Sequence, residues 1–273
     1  MREVEKIAVV TGASRGAGKG IALALGAAGM TVYVTARSVA DGDSPHGGTI
    51  GQTAEQVGRA GGKGIAVAVD HADDAAVAAF FQRIAREHGR LDILVNNAAN
   101  LASAPTAGGF WTKPLASADL LEVGLRSHFV SSYHAAPLLI ANGRGLIVNT
   151  GHYGAQKAGS DKMAADMAKE LRPYNVSANA IWMGGLDTER ARAYLDSLAP
   201  EARPAAKRES PRFTGRVIAA LYACEHRMAL SGRALIGAEL GALLGVTDVD
   251  GSRPISYRYT MGGPPELHPS LSA

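Results

Sequence analysis

The sequence predicts a single α/β domain built on a doubly wound parallel sheet, and three observations carry that prediction. Short apolar, β-branched runs alternate with helical segments from Ile7 onward. A glycine-rich turn, TGASRGAG at Thr11–Gly18, joins the first run to the first helical segment. No linker or internal repeat divides the 273 residues, a length that suits one such domain, so 1–273 is read as one unit.

Composition narrows the class. Hydrophobic residues make up 47% of the chain and aromatics only 5%, so the core must be built from Ala, Val, Leu and Ile. Lys and Arg (28) nearly balance Asp and Glu (25), and no basic cluster argues for nucleic acid. The one cysteine, Cys224, excludes an intramolecular disulfide framework and fits a reducing, cytoplasmic setting. The N-terminal stretch lacks the apolar core of a signal peptide, and no run approaches 18 uncharged apolar residues, so no membrane span is expected. The histidines and carboxylates show no metal-ligand spacing, and no metal is expected.

The first strand is Ile7–Val10, and Lys19–Leu25 after the turn has apolar residues at helical spacing. Gly12 suits a tight turn, Gly16 lets backbone approach a pyrophosphate, and Gly18 lets the helix pack near the strand. The free N–H groups and dipole of the helix N-terminus attract phosphate. This is the opening of a Rossmann-type dinucleotide fold, with Gly12, Ser14, Arg15, Gly16 and Gly18 as candidate cofactor residues. The second strand, Thr31–Thr35, ends in Ala36-Arg37. An acidic residue there would bind the ribose hydroxyl of NAD, whereas Arg37 with Arg15 suits a 2′-phosphate. NADP(H) is therefore favoured over NAD(H), against the plainer reading of Arg37 as a solvated strand-end charge.

A polar loop at 41–51 leads to a helix over 52–60 and a third strand, Ile65–Val69, ending at Asp70. Asp70 either accepts from the adenine amino group or caps the next helix. That helix runs from about Asp73 to His88 and stops at Gly89. A fourth strand, Leu91–Val95, meets Asn96-Asn97-Ala98-Ala99, where Asn pairs can tie strands and line a cofactor cleft. A long helix is expected over 117–141, broken or curved near Pro137. The fifth strand, Gly145–Thr150, is followed almost at once by a helix running to Leu171, and the sixth strand is Val176–Trp182. Residues 186–214 read as a mobile lid over the substrate cleft. A helix over 213–225, a short strand at Ala234–Ile236 and an irregular tail from about 250 complete the chain.

Tyr153 and Lys157 stand four apart, on one helix face. An adjacent ammonium favours phenolate over phenol. Such a tyrosine can pass a proton to or from a carbinol oxygen while a nicotinamide carries hydride.

Together TGASRGAG, Asp70, NNAA (Asn96–Ala99), YGAQK (Tyr153–Lys157) and WMGGLDT (Trp182–Thr188), in this order and spacing, resemble the short-chain dehydrogenase/reductase family from Ile7 to about Gly245. The segments VGLRSHF and DKMAADMAKEL look most like the branch typified by dehydrogenase/reductase family member 1 and its bacterial relatives. The resemblance implies that Tyr153 is the general acid/base and Lys157 its electrostatic partner. It also implies that Asn96 and Ala98 line the cofactor and Asp70 meets adenine. Gly184 and Thr188 would lie along the cofactor's phosphate or carboxamide end. It further implies a homodimer or homotetramer packed through the helices at 117–141 and 153–171.

The sequence departs from the family pattern at three places. Gly124 stands where the family has a helix Asn, and Met183-Gly184 replaces a Pro-Gly pair. The family's catalytic Ser, about thirteen residues before the Tyr, has no counterpart, because His152 immediately precedes Tyr153. Either the strand-to-helix loop is truly shorter by about a dozen residues, or a stretch is missing from the sequence here. The leading expectation is an NADP(H)-preferring oxidoreductase interconverting a carbonyl and an alcohol on a small-molecule substrate. A cofactor-binding sensor or scaffold with lost catalysis is the alternative. A methyltransferase with a glycine-rich loop leaves YxxxK and NNAA unexplained.

Overall fold

The computed structural model describes residues 5–101, 110–151, 154–203 and 207–264. Seven parallel strands form one sheet in the order β3-β2-β1-β4-β5-β6-β7: β1 Ile7–Thr11, β2 Thr31–Ala36, β3 Lys63–Ala68, β4 Ile93–Asn96, β5 Gly145–Thr150, β6 Val176–Trp182 and β7 Ala234–Ile236. The order reverses between β1 and β4, so a crevice opens at the C-terminal ends of those two strands, where doubly wound folds bind ligands. Seven of the helices are α1 Gly16–Ala27, α2 Ile50–Arg59, α3 Asp74–His88, α4 Ser127–Ala141, α5 Gly154–Leu171, α6 Glu189–Asp196 and α7 Pro211–Ala223.

Burial on both faces explains why the central strands read as continuous apolar runs. Successive residues of a strand point to opposite faces. Ala8 and Val10 enter one core with Ile21, Leu25, Val57, Phe213 and Val217, under α1, α2 and α7. Ile7 and Val9 enter the other, with Phe80, Phe81, Ile84, Leu138 and Leu139, under α3 and α4. β3 lies at the sheet edge and is half exposed, which shifts its observed start to Lys63 from the expected Ile65. Local capping matches the sequence at both ends of α3: Asp73 accepts from the N–H groups of Ala75 and Ala76, and Gly89 ends the helix at φ 68°.

The expected break at Pro137 is displaced. α4 continues unbroken through Pro137, and the interruption falls at Val123 and Gly124, where φ reaches 150°. The missing Pro N–H affects only the carbonyl of Tyr133, whose own side chain is exposed on the solvent face. At the true break the freed carbonyls are used: the Asn100 N–H donates to Val123 O at 2.7 Å, and Gln156 Nε2 donates to Gly124 O at 2.6 Å. The segment expected as a lid contains α6 and closes on itself at its base, where Leu186 and Glu209 pair as a parallel bridge. Among the described residues no helix is long and apolar enough to cross a membrane.

Candidate active site

The ends of β1, β4 and β5 are tied by polar side chains. Thr11 Oγ1 accepts from the N–H groups of Asn97 and Ala98, at 2.9 and 3.0 Å, while Asn97 Nδ2 donates to the carbonyls of Thr11 and Gly12. Asn96 Nδ2 reaches Asn149 Oδ1, Ser132 Oγ and the carbonyl of His128. The His128 ring in turn meets Ala98 O at 3.0 Å. The Asn pair therefore ties strands, as the sequence suggested, and it fixes the floor of the crevice. Asn96 is fully buried beneath that floor.

Above it sits the glycine turn. Gly12 takes φ 64°, and a Cβ there would stand 2.7 Å from Ala98 Cα, so turn and floor meet without a side chain between them. Arg15 is the residue preceding α1, and its guanidinium donates to Ser38 Oγ at 2.6 Å and to the carbonyls of Gly47 and Gly48. Burial of Arg15, with the charge of Arg37 a smaller cause, pulls its pKa down, against the opposing pull of Glu189. The largely exposed Arg37 lies 3.9 Å from the half-buried Asp70, and Asp70 also caps the turn at Ala72. The end of β2 thus gathers two guanidiniums and one hydroxyl.

At the helix N-terminus the backbone N–H of Gly16 donates to Glu189 Oε2 at 3.0 Å. A carboxylate on this N–H shows that the turn accepts an anion, so these residues fit a dinucleotide pyrophosphate. Thr188 caps α6 by accepting from the Ala191 N–H, and its methyl group faces Gly16.

Across the crevice, Lys157 rises from the first turn of α5. Its ammonium lies 3.7 Å from the centre of the Trp182 ring, and burial lowers its pKa. Trp182 Nε1 donates to both oxygens of the buried Asp161, one turn further along α5. Burial raises the Asp161 pKa, partly countered by Trp182 and Lys157. Gln156, inside the YGAQK motif, is buried and holds both Gly124 and Ser160. Tyr153 and His152 lie outside the described residues, as does the junction where the family Ser is absent. The neighbouring Thr150 hydroxyl is committed to Asn96 O.

Three residues at the site were given no role by the sequence reading. Glu189 and Trp182 are described above. The third is Glu209, which lines a cavity with Lys157, Trp182, Gly184 and Tyr257. Among the described residues no group of three or more His, Cys, Asp or Glu is placed to hold a metal.

The fold, the glycine turn at the sheet's switch point and the half-buried Lys157 after β5 are those of a nucleotide-dependent oxidoreductase class. The family model described as short chain dehydrogenase matches residues 6–198, and the chain belongs to that family. Membership makes it an NAD(P)-dependent oxidoreductase in general terms. It is similar to the dehydrogenase/reductase SDR family member 1 of Mus musculus, 36% identical over 94% of this chain and 87% of that protein. The Homo sapiens counterpart is 35% identical over 92% and 85%. A short chain dehydrogenase from Mycobacterium thermoresistibile shares the fold with a TM-score of 0.74, at 24% identity over 92% of this chain and 93% of its own.

Proposed function

We propose that this protein is an NADP(H)-preferring oxidoreductase that interconverts a carbonyl and an alcohol, with Tyr153 as general acid/base and Lys157 as its partner. The observation that carries the reading is the Lys157 ammonium. It is half buried at the C-terminal edge of the sheet, and it sits on the helix whose preceding turn the sequence assigns to Tyr153. A bound nicotinamide supplies the hydride. The protein supplies the proton at the carbonyl oxygen through Tyr153, and Lys157 favours the phenolate form. Gly12, Ser14, Gly16 and Gly18 cradle the phosphates, and Ala98 forms the floor, with Asn96 fixing it from beneath. Thr188, whose methyl faces Gly16, contacts the cofactor near its phosphates, and Gly184 lies beside Lys157.

Arg15, Ser38 and Arg37 at the end of β2 favour a 2′-phosphate over a bare hydroxyl, and Asp70 serves both the adenine and the Arg37 guanidinium. Phe129 and Tyr133 stand exposed on one face of α4, four residues apart, and support a homo-oligomer packed through that helix. The cytoplasm is the proposed location, from the cysteine usage. Replacing Tyr153 with Phe tests the reading. Turnover of NADPH with a carbonyl panel is expected to fall at least a thousandfold while NADPH binding persists. Unchanged turnover overturns the assignment.

A further inference from the structure

Trp182 stands at the C-terminal end of β6, one residue beyond the pairing of Thr150 with Ile181, and so beside the exit of β5. Its indole joins two residues of α5 that lie one turn apart. The Lys157 ammonium rests over the ring, 3.7 Å from its centre, and the ring N–H donates to Asp161 Oδ1 and Oδ2 at 2.9 and 3.2 Å. The lysine stem also runs against Gly151, where a Cβ would stand 2.7 Å from Lys157 Cγ. Stem and head are each set against a strand end. Among the described residues the ammonium makes no hydrogen bond and no ion pair, Asp161 included.

Packing does not account for Asp161. It is 6% exposed, yet among the described residues its carboxylate accepts from a single neutral N–H. A carboxylate has more acceptor capacity than that, and burying one so thinly partnered costs stability rather than adding it. An apolar residue filling the same space would serve the core better. What the carboxylate supplies is direction. Two oxygens on one N–H fix the tilt of the indole plane, and the plane fixes where a cation over its face sits. Burial pulls the Lys157 pKa down, against Asp161, so a half-buried ammonium gains from a face that stabilises charge without a hydrogen bond.

We propose that Asp161 and Trp182 are positioning residues for Lys157: Asp161 sets the indole, and the indole face holds the ammonium at the strand ends. The proposal rests on the oxidoreductase reading above, in which Lys157 acts beside Tyr153. In this role neither residue touches substrate or moves a proton. Their effect passes through the place of one ammonium, so it falls on the chemical step and spares substrate affinity. The bond that matters is the one from the indole N–H, and an asparagine carbonyl accepts it as a carboxylate does.

The test follows both the lysine and the reaction. In protein labelled with carbon-13 lysine, the Lys157 ε-methylene signal, identified by its loss in Lys157→Met, is expected upfield of the other lysines because it lies over an aromatic face. NADPH-dependent reduction of acetophenone, benzaldehyde and diacetyl gives kcat and KM, and thermal unfolding checks that each variant folds. Asp161→Ala and Trp182→Phe break the indole–carboxylate bond from either end. Both are expected to move the lysine signal back toward the others and to lower kcat about tenfold, with KM for the carbonyl within about twofold. Trp182→Leu, with no ring, is expected to lose the upfield shift entirely and at least as much of kcat. Asp161→Asn is expected to restore most of both relative to Asp161→Ala. An Asn variant as impaired as the Ala variant overturns the proposal, as does a lysine signal that stays upfield in Asp161→Ala. A signal that moves while kcat does not, or a rise in KM alone, overturns it too and leaves the oxidoreductase reading intact. Absence of turnover with every carbonyl overturns that reading instead, and the order of the lysine signals then decides whether Asp161 holds Lys157 through the indole. If Asp161→Ala does not fold, Trp182→Phe against Asp161→Asn decides by the same criteria.

Discussion

The Glu189 carboxylate accepts a hydrogen bond from the Gly16 backbone N–H at 3.0 Å, at the N-terminus of α1. The same N–H is the natural donor for a cofactor phosphate. Carboxylate and phosphate compete for one donor, and the carboxylate charge also repels the incoming anion. Glu189→Gln is therefore expected to tighten NADPH binding at least threefold, measured by fluorescence titration, with the gain shrinking at high salt. An unchanged or weaker affinity in the variant shows that Glu189 leaves the turn without cost.

Cofactor choice rests on the end of β2. Arg37 is mostly exposed, so its charge-assisted bond to a phosphate is worth about tenfold in affinity rather than the larger effect of a buried pair. Arg37→Ala is expected to weaken NADPH about tenfold and leave NADH unchanged. Arg15→Ala should do more, because Arg15 also bonds Ser38, Gly47 and Gly48 and so holds the following loop. Parallel weakening of both cofactors in Arg37→Ala sinks the assignment.

The close approach of the glycine turn to its floor is separable from backbone strain. Gly12 and Gly47 have nearly the same positive φ, 64° and 63°. A Cβ at Gly12 meets the Ala98 backbone, while one at Gly47 meets nothing within 4 Å. Each Ala variant costs about 1–2 kcal/mol for the left-handed conformation. Gly12→Ala should lose more stability than Gly47→Ala by about 2 kcal/mol in denaturant unfolding, and should also lose NADPH binding. Equal losses would mean that Ala98 moves aside freely.

What the sequence made legible was what local chemistry decides. Buried parallel strands announce themselves as β-branched runs, and Asp73 and Gly89 mark the ends of α3 by side-chain and backbone preference alone. The break at Gly124 was hidden because Pro137 is the stronger local signal. Its cause is remote, since Gln156 draws in the freed carbonyl from thirty-two residues away. Glu209 was invisible for a similar reason. Its carboxyl reaches the cavity only because residue 209 pairs with Leu186 across the lid. The one available hint was Gly184-Gly185 after β6, since paired glycines after a strand mark a close approach by something else.

Two buried groups give the fold opposed pH responses. His71 is 4% exposed, its Nε2 meets Thr35 Oγ1 at 2.9 Å, and its Nδ1 has no partner. Burial pushes its pKa down to about 4, against a weaker pull from Asp70. Below the usual histidine value near 6.5 the unfolded chain takes up a proton that the native ring refuses. His71 therefore contributes its full stability above about pH 6.5 and loses it as pH falls toward 4. Glu209 acts in the other direction. Burial pushes its pKa up to about 7, which lets the native state keep a proton between about pH 4.5 and 7, so its contribution declines as pH rises through that window. Each slope is about 1.4 kcal/mol per pH unit at its steepest. Between roughly pH 4.5 and 6.5 the two nearly cancel in the wild type. His71→Gln should expose the Glu209 slope, with stability falling as pH rises, and Glu209→Gln should expose the His71 slope, with stability rising. Urea midpoints at several pH values across this window measure both. If the two variants show slopes of the same sign, at least one of these groups is not held in the protonation state its burial dictates.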